Sequence, residues 1–332
     1  MSITGLGPHG ERAAPPSRVS LGPEDVAAAC ARDFSVAVVL HTVDSDWSRQ
    51  QLAGISSTLG ACGTIISEVV DCGFDTDSQI QALERLKEGP VDAIISIPVA
   101  NASVADAHAT VSRAGKCLVL NDNVPTGLLP ERDYKSLISA DNFGLGLAGA
   151  ELLSAHVDNG REIGLLSFEE DFYVINEREI SFGRWMKSHR PDLAIRTQRF
   201  RSIDEAGSAT RKLLSDYPGL AGLFVVWDTP AMQAVELLRA EGRNIPMTTV
   251  DLGREAAIEL ARGEIVVGIA AQQPYKQGVA VAQAVILSLL DHPVPSWVAL
   301  PGIPVTPEIV VESYQRVWSS TAPLEILEIR SA

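Results

Sequence analysis

The chain has 332 residues, and its 27 Lys and Arg against 42 Asp and Glu give a formal net charge of −15. A field of this sign repels nucleic acid and anionic membrane surfaces, so neither is expected as a partner. The composition, with 46% hydrophobic and 21% charged residues, is that of a globular protein, and the length predicts two domains of ordinary size. The longest apolar stretch, near residues 279–290, is broken by Gln283 and Ser288 and is shorter than a membrane span.

Residues 1–23 are rich in Gly, Pro and Ser and lack the apolar core of a secretory signal, so either the protein is cytoplasmic or a signal has been removed. We expect residues 1–33 to form a leader that is partly disordered and contains one short helix over residues 23–32, where Pro and two acidic residues come first. The leader contains three arginines and no lysine, so a DNA-binding helix-turn-helix is not expected there.

From residue 34 onward, short apolar runs alternate with helical patterns. The runs predict strands at residues 34–41, 63–70, 91–99, 117–122, 136–141, 162–168, 193–200, 222–227, 246–251 and 265–272. Such alternation indicates βαβ units and parallel sheets with right-handed crossovers. Ten strands are too many for one ordinary sheet, and the loop over residues 123–134 is a natural seam, so we predict two doubly wound lobes.

Polar and aromatic residues follow most of these strands. In parallel α/β sheets ligands bind just outside the carboxyl ends of the strands. The residues at these ends are Ser45, Asp46, Trp47, Asn101, Asp122 and Asn123 in the first half, and Glu169, Phe172, Trp227, Asp228, Asp251 and Gln272 in the second. Carboxylates and amides bind hydroxyl groups, and indole rings cover C–H faces. This set, poor in cations, predicts a neutral polyhydroxylated ligand.

Several of these residues are equally typical of structural roles. Asp46 and Asp228 suit helix N-caps, and Trp47 and Trp227 suit a staple or a core position. Asp122 and Asp251 end apolar strands with no helix starting immediately, which favours a ligand-binding role for them.

Three features of the sequence suggest other functions: dinucleotide binding, calcium binding and catalysis. GLGLAG (144–149) matches a dinucleotide fingerprint, but three residues separate it from the preceding strand, so we place its glycines inside a helix capped by Asn142. DTDSQ (75–79) lacks the Gly and Glu of a calcium loop and predicts a helix cap. The histidines show no metal spacing and no GxSxG elbow is present, so we expect no catalytic residue, metal or cofactor.

The four cysteines, Cys30, Cys62, Cys72 and Cys117, also lack zinc spacing. We expect small buried apolar residues at these positions. A disulfide between Cys62 and Cys72 stays open for an oxidising compartment.

The chain resembles the sugar-binding proteins of ABC importers in the ribose- and galactose-binding group of the type I periplasmic-binding-protein superfamily. The resemblance lies in the order and spacing of SDWSRQQLAGI (45–55), DSQIQALERL (77–86), PVDAIISIPV (90–99), AGKCLVLNDNVPTG (114–127), SADNFGLGLAGAELL (139–153), FVVWDTPAMQAVELLRAEG (224–242), TTVDLG (248–253) and VVGIAAQQPYKQG (266–278). It implies a three-strand hinge, with residues 34–138 and 274–300 in one lobe and residues 139–273 and 301–320 in the other.

The resemblance also implies which residues contact the sugar. By matching motifs these are Ser45, Trp47, Asp122, Trp227, Asp251 and Gln272. Pentose binders carry a second aromatic residue where this chain has Ser48, and an arginine where it has Asn123. Their arginine in the second lobe falls at Asn176 or Arg178, of which we favour Arg178.

The expected function is therefore that of the solute-binding component of a carbohydrate importer. It would bind its ligand in the cleft between the lobes by hinge closure, act as a monomer in the periplasm and deliver the ligand to a membrane permease. If Trp227 forms a second stacking wall facing Trp47, a small sugar or a linear polyol is favoured. The alternatives are a sugar-sensing regulator of the lactose-repressor type without its DNA-binding part and, on GLGLAG alone, an NAD-dependent enzyme.

Overall fold

The computed structural model describes residues 2–331. It divides into two compact units. The N-terminal unit comprises Gly5–Ala140 and Gln273–Leu300, and the C-terminal unit comprises Asp141–Gln272 with Thr4 and the residues from Pro301 onward. The chain thus passes between the units after residues 140, 272 and 300, and also after residue 4.

The N-terminal unit is built on a six-stranded parallel sheet. Its strands are β1 Ser35–Leu40, β2 Ile65–Asp71, β3 Ala93–Ser96, β4 Cys117–Asn121, β5 Ser136–Ala140 and β11 Trp297–Leu300. They lie in the order β11-β5-β4-β3-β1-β2, and every pairing is parallel. The helices of this unit are α1 Pro23–Cys30, α2 Asp46–Ala61, α3 Thr76–Glu88, α4 Ala105–Arg113 and α10 Pro274–Leu289.

The C-terminal unit has a second six-stranded sheet. Its strands are β6 Glu162–Phe168, β7 Ala194–Phe200, β8 Leu220–Val225, β9 Met247–Val250, β10 Val266–Ala271 and β12 Ile303–Val305. They lie in the order β12-β10-β9-β8-β6-β7, and only the pairing of β12 with β10 is antiparallel among the described residues. The helices are α5 Asn142–Ser154, α6 Tyr173–His189, α7 Ala206–Asp216, α8 Asp228–Ala240, α9 Arg254–Arg262, α11 Val310–Trp318 and α12 Leu324–Ser331. The predicted architecture of two doubly wound parallel-sheet lobes is confirmed.

Helices α2 and α10 pack at unusually close range beneath the N-terminal sheet. A Cβ atom at Gly54 would lie 2.2 Å from the Tyr275 carbonyl oxygen, and one at Gly278 would lie 2.1 Å from the Gln51 carbonyl oxygen. Only glycine permits this approach, because no real Cβ tolerates backbone at such distances. Residues 51–54 of α2, which follows β1, are thereby packed against the first two turns of α10, which follows β10.

The first 33 residues differ from the expected leader. Ala14 pairs with β11, where its amide donates to the Trp297 carbonyl at 2.9 Å, and Val19 is fully buried in the N-terminal core. This segment is ordered because it satisfies an edge strand of the sheet and buries apolar side chains. The helix expected over residues 23–32 is α1.

The units divide after β5 rather than in the loop over residues 123–134, because β5 pairs with β4 and completes the N-terminal sheet. Sequence patterns also missed β11, β12, α11 and α12. No helix within residues 2–331 has both the length and the apolar character needed to cross a membrane.

Candidate functional site

The first turn of α2 carries Ser45, Asp46 and Trp47. Ser45 is the N-cap, and its Oγ accepts a hydrogen bond from the Ser48 amide at 3.0 Å. Asp46 is the first helical residue and forms an ion pair with Arg49 at 2.7 Å. The cap predicted at Asp46 is thus supplied by Ser45, whose side chain is better placed because the N-cap oxygen faces the free amides of the first turn.

Trp47 lies half-buried beside two further aromatic rings. Its ring meets His41 edge-on at 5.7 Å between centroids, and His41 meets Phe74 edge-on at 4.9 Å. Burial lowers the pKa of His41 to about 4, so its imidazole is neutral at pH 7. The indole Nε1 is buried and makes no hydrogen bond to any residue that the structure describes. This donor is available to a ligand.

Asp122 and Asn123 follow β4 directly and are buried. Asp122 has a φ of +63°, and its amide donates to the Ile138 carbonyl at 2.7 Å. The Asn123 Nδ2 donates to the Pro98 carbonyl at 3.0 Å, whereas its Oδ1 is buried without a partner among residues 2–331. Asn101, also buried, accepts a hydrogen bond from the Thr126 amide through its backbone carbonyl at 2.7 Å.

Asp251 occupies the corresponding place in the C-terminal unit, directly after β9. Its φ is +73°, and its amide donates to the Ala270 carbonyl at 3.1 Å. Its Oδ1 accepts a hydrogen bond from Gln272 Nε2 at 2.7 Å, and the buried Gln272 Oε1 has no partner in the described part of the chain. Left-handed backbone at a non-glycine residue is costly and clusters at ligand sites. Both units carry it at the aspartate that ends a central strand.

Arg178, Asn176 and Phe172 lie on or beside α6. Arg178 is buried; its Nε donates to Asn142 Oδ1 at 2.9 Å and its Nη1 donates to the Val226 carbonyl at 2.9 Å. These bonds hold the guanidinium at the carboxyl end of β8. Asn176 is half-buried and donates to Asp171 at 2.6 Å, which turns it toward a surface loop, and Phe172 is a buried N-cap residue.

Trp227 is the N-cap residue of α8 and is half-buried. It packs edge-on against Phe168 at 5.6 Å and against Phe200 at 5.4 Å. Asp228, for which capping was an alternative, instead accepts a hydrogen bond from the Gly253 amide at 2.8 Å. Its carboxylate therefore ties the start of α8 to the loop that carries Asp251.

The motifs that suggested dinucleotide or calcium binding have structural roles instead. GLGLAG lies inside α5, as predicted, although its cap is Asp141, which accepts from the Gly144 amide at 2.9 Å, rather than Asn142. Gly149 packs on the Phe224 ring, and a Cβ there would lie 2.5 Å from the ring. Asp75 caps α3, as predicted. No cluster of three metal-ligating side chains occurs within the described residues.

All four cysteines, which lie within residues 2–331, are free thiols. Cys62, Cys72 and Cys117 are buried as expected, whereas Cys30 ends the short helix α1 and is exposed. The expectation of burial was wrong for Cys30 because the last turn of α1 leaves this side chain at the surface.

Three buried side-chain amides of the N-terminal unit were not predicted from the sequence: Gln51, Asn121 and Gln277. All three are fully buried. Asn121 ends an apolar strand, whereas Gln51 and Gln277 lie among polar residues at the starts of their helices and carry no local sequence signal.

Unsatisfied buried polar atoms gather mainly in the N-terminal unit, after its strands and in the helical turns that follow strands. Eight buried side-chain polar atoms lack a hydrogen-bond partner among residues 2–331, and six of them follow a strand or lie in the helical turns after it. The six belong to His41, Trp47, Gln51, Asn123, Gln272 and Gln277. Buried polar groups in native proteins are almost always paired, so such a concentration makes this part of the chain the candidate binding site.

Two doubly wound units, with a chain that crosses between them and polar groups at the carboxyl ends of both sheets, define a solute-binding protein of the type I periplasmic fold. The family model for the periplasmic binding protein domain matches residues 36–291, and the chain belongs to this family. It is a binding protein and not an enzyme, as the sequence analysis predicted.

The similar proteins of known name or known structure share only low sequence identity with this chain. The ribose import binding protein of Bacillus subtilis (strain 168) is 20% identical over 245 residues, which cover 73% of this chain and 77% of that protein. Among solved structures, an ABC transporter solute-binding protein from Mycobacterium smegmatis with bound glycerol has a TM-score of 0.76 at 21% identity, covering 84% of this chain and 96% of that one. A carbohydrate transporter solute-binding protein from Agrobacterium radiobacter in complex with D-arabinose has a TM-score of 0.79 at 16% identity, covering 88% and 99%. The likenesses to these two structures establish the fold.

Proposed function

We propose that this protein is the solute-binding component of an ABC importer and binds a small sugar or polyol. The observation that carries the proposal is a group of six unsatisfied buried polar atoms near strand ends. Five lie in the N-terminal unit, which also carries Trp47 and the left-handed Asp122, and one, Gln272 Oε1, lies beside the left-handed Asp251 in the C-terminal unit. The ligands named for the similar proteins, ribose, glycerol and D-arabinose, belong to this chemical class.

Each side chain has a defined part in this proposal. Asp122 and Asp251 accept hydrogen bonds from ligand hydroxyls, and the Asn123 and Gln272 oxygens add neutral acceptors. Trp47 and Trp227 cover the C–H faces of the ligand. Arg178 donates through Nη2, which makes no hydrogen bond to a described residue. Ser45, Asp46, Asn101, Phe172 and Asn176 are proposed as further ligand contacts.

We propose that one ligand engages both sets of side chains. A ligand that makes more contacts in a closed form than in an open one shifts the population toward the closed form. A membrane permease would then recognise the closed form, and a monomer in the periplasm suits this delivery role.

A thermal-melt screen tests the proposal. The probes are D-ribose, D-arabinose, glycerol, and panels of hexoses, tetritols, pentitols and inositols, with NADH included. Saturation at a hundred times the dissociation constant stabilises the folded protein by about 2.7 kcal/mol, which raises the melting temperature by a few degrees. We expect a rise with one or a few small carbohydrates. No rise with any carbohydrate, or a rise with NADH alone, contradicts the proposal.

A further inference from the structure

Three amide side chains form a buried chain of hydrogen bonds in the N-terminal unit. Gln51, Asn121 and Gln277 come from α2, from the end of β4 and from α10, and each is fully buried. Asn121 Nδ2 donates to Gln51 Oε1 at 3.1 Å, and Gln277 Nε2 donates to Asn121 Oδ1 at 2.9 Å. Gln277 Nε2 also lies 3.4 Å from Asp122 Oδ1. The chain of amides therefore ends on a proposed ligand-binding carboxylate.

The Asp122 carboxylate, at one end of the three amides, sets the direction in which their hydrogen bonds run. An amide has one donating and one accepting end, so the three groups can only run in one of two directions. In the opposite direction Gln277 would present its oxygen to the Asp122 carboxylate and to the Ile138 carbonyl, which lies 3.5 Å from Nε2. Two acceptors facing each other repel, so the carboxylate selects the observed direction.

The observed direction has a structural cost. It leaves Gln51 Nε2 and Gln277 Oε1 buried with no partner among the residues described. Leucine side chains of similar volume would fill the same space without any unpaired polar atom, and incompletely satisfied buried networks are less stable than an apolar core. Stability of the fold alone does not account for these amides.

The close packing of α2 and α10 is what brings the amides together. Gly278 follows Gln277 directly, and a Cβ at residue 278 would strike the backbone oxygen of Gln51 itself. The same two helical turns thus supply both ends of the amide chain. Asn121 lies between them because β4 ends at this residue.

We propose that Gln277, supported by Asn121 and Gln51, is a positioning residue that holds the Asp122 carboxylate in place for ligand hydroxyls. This inference rests on the proposed function. Asp122 has a left-handed backbone, and Gln277 Nε2 lies 3.4 Å from its Oδ1. An N–H donor on that side favours carboxylate orientations in which Oδ1 faces Gln277.

The test is Gln277→Leu, with affinity measured by titration calorimetry and stability by thermal melting. The probe is the carbohydrate that gives the largest shift for the wild-type protein in the screen above. We expect affinity to fall about tenfold. Gln277→Leu removes the unpaired Gln277 Oε1 but also removes the donor to Asn121 Oδ1, so the melting temperature should fall by no more than a few degrees. Gln283→Leu is the matched control: it makes the same change on α10 at a half-buried position and should change neither quantity.

A double-mutant cycle separates positioning from general packing. In the Asp122→Asn background, Gln277→Leu should change affinity less than twofold, because the group that it positions has lost its charge. Gln51→Leu, at the far end of the chain, should weaken binding about threefold and gives a second variant if Gln277→Leu folds poorly.

The outcomes distinguish this inference from the proposed function. Wild-type affinity in both Gln277→Leu and Gln51→Leu, or losses that add fully to that of Asp122→Asn, overturns the positioning role alone. Failure of the wild-type protein to bind any carbohydrate of the screen overturns the proposed function and this inference with it.

Discussion

Replacement of Asp251 by asparagine tests the proposed site most directly. Asp251 is buried at the end of β9 and already accepts one hydrogen bond from Gln272 at 2.7 Å. Asparagine has the same shape and tolerates the left-handed backbone, so the fold is retained. The change removes the charge and replaces one of the two carboxylate oxygens, which accept hydrogen bonds, by an NH₂ group, which donates them.

The expected loss follows from the strength of one buried hydrogen bond to a charged group. Such a bond contributes about 1.5–3 kcal/mol, and each 1.4 kcal/mol is a factor of ten in affinity. We therefore expect the dissociation constant of Asp251→Asn to rise about 10- to 150-fold. Titration calorimetry with the carbohydrate identified in the thermal-melt screen measures this directly.

A matched control makes the result interpretable. Asp158→Asn changes the same chemical group in the same unit, at an exposed position before β6 and thus at the opposite ends of the strands. It should bind with wild-type affinity. A loss of less than threefold in Asp251→Asn, with an unchanged circular dichroism spectrum, would refute the assignment of Asp251 as a hydroxyl acceptor.

Three further predictions concern stability and reactivity. Burial lowers the pKa of His108 to about 4 from 6.5, so the unfolded chain binds the proton first as the pH falls. Buried His41 adds a loss of its own, so the contribution of His108 is measured as a difference: in urea unfolding, the stability lost between pH 7 and pH 4 should be about 3 kcal/mol larger in the wild-type protein than in His108→Gln. Burial raises the pKa of the three buried thiols, so at pH 8 a thiol reagent should label one cysteine of the folded protein, Cys30, and none in Cys30→Ser. Gly278→Ala should lower the free energy of unfolding by about 1–3 kcal/mol in thermal melts, because its Cβ would lie 2.1 Å from the Gln51 carbonyl oxygen. Gly183→Ala, whose Cβ would meet open space, is the control and should leave stability unchanged. Equal stability of the two variants would contradict the close packing of α2 and α10.

The sheets were predictable because most of their strands are buried on both faces and so appear as continuous apolar runs, whereas the edge strands β2 and β7 alternate between exposed and less exposed residues. Strand β6 was predicted over its observed range, and most others to within two residues at each end. The short strands β11 and β12 were not, because Pro301 and Gly302 separate them and neither exceeds four residues. Their assignment depends on pairing with β5 and β10, which no local pattern reveals.

The candidate site was predictable only where local rules failed to explain a residue. Asp122 and Asp251 were singled out because no helix begins beside them, and both have the left-handed backbone. Asp228 was harder to interpret, since its partner is the amide of Gly253, 25 residues away. The buried amides were missed because Asn121 and Gln277 are 156 residues apart, and only the tertiary fold brings them together.

The left-handed backbone at Asp122 and Asp251 limits how this protein can acquire a new ligand range. Gly, Asn and Asp adopt that conformation at the lowest cost, although Phe74, Glu131 and Ser319 also have it in this chain. Evolution or laboratory selection at these two positions is therefore biased toward keeping the charge, neutralising it or deleting the side chain. Trp47 stands in a helix and Trp227 has extended backbone, with a φ of −158°, so many residue types fit there. Libraries that redirect this binding protein to other solutes should vary the two tryptophans and leave the two aspartates in place.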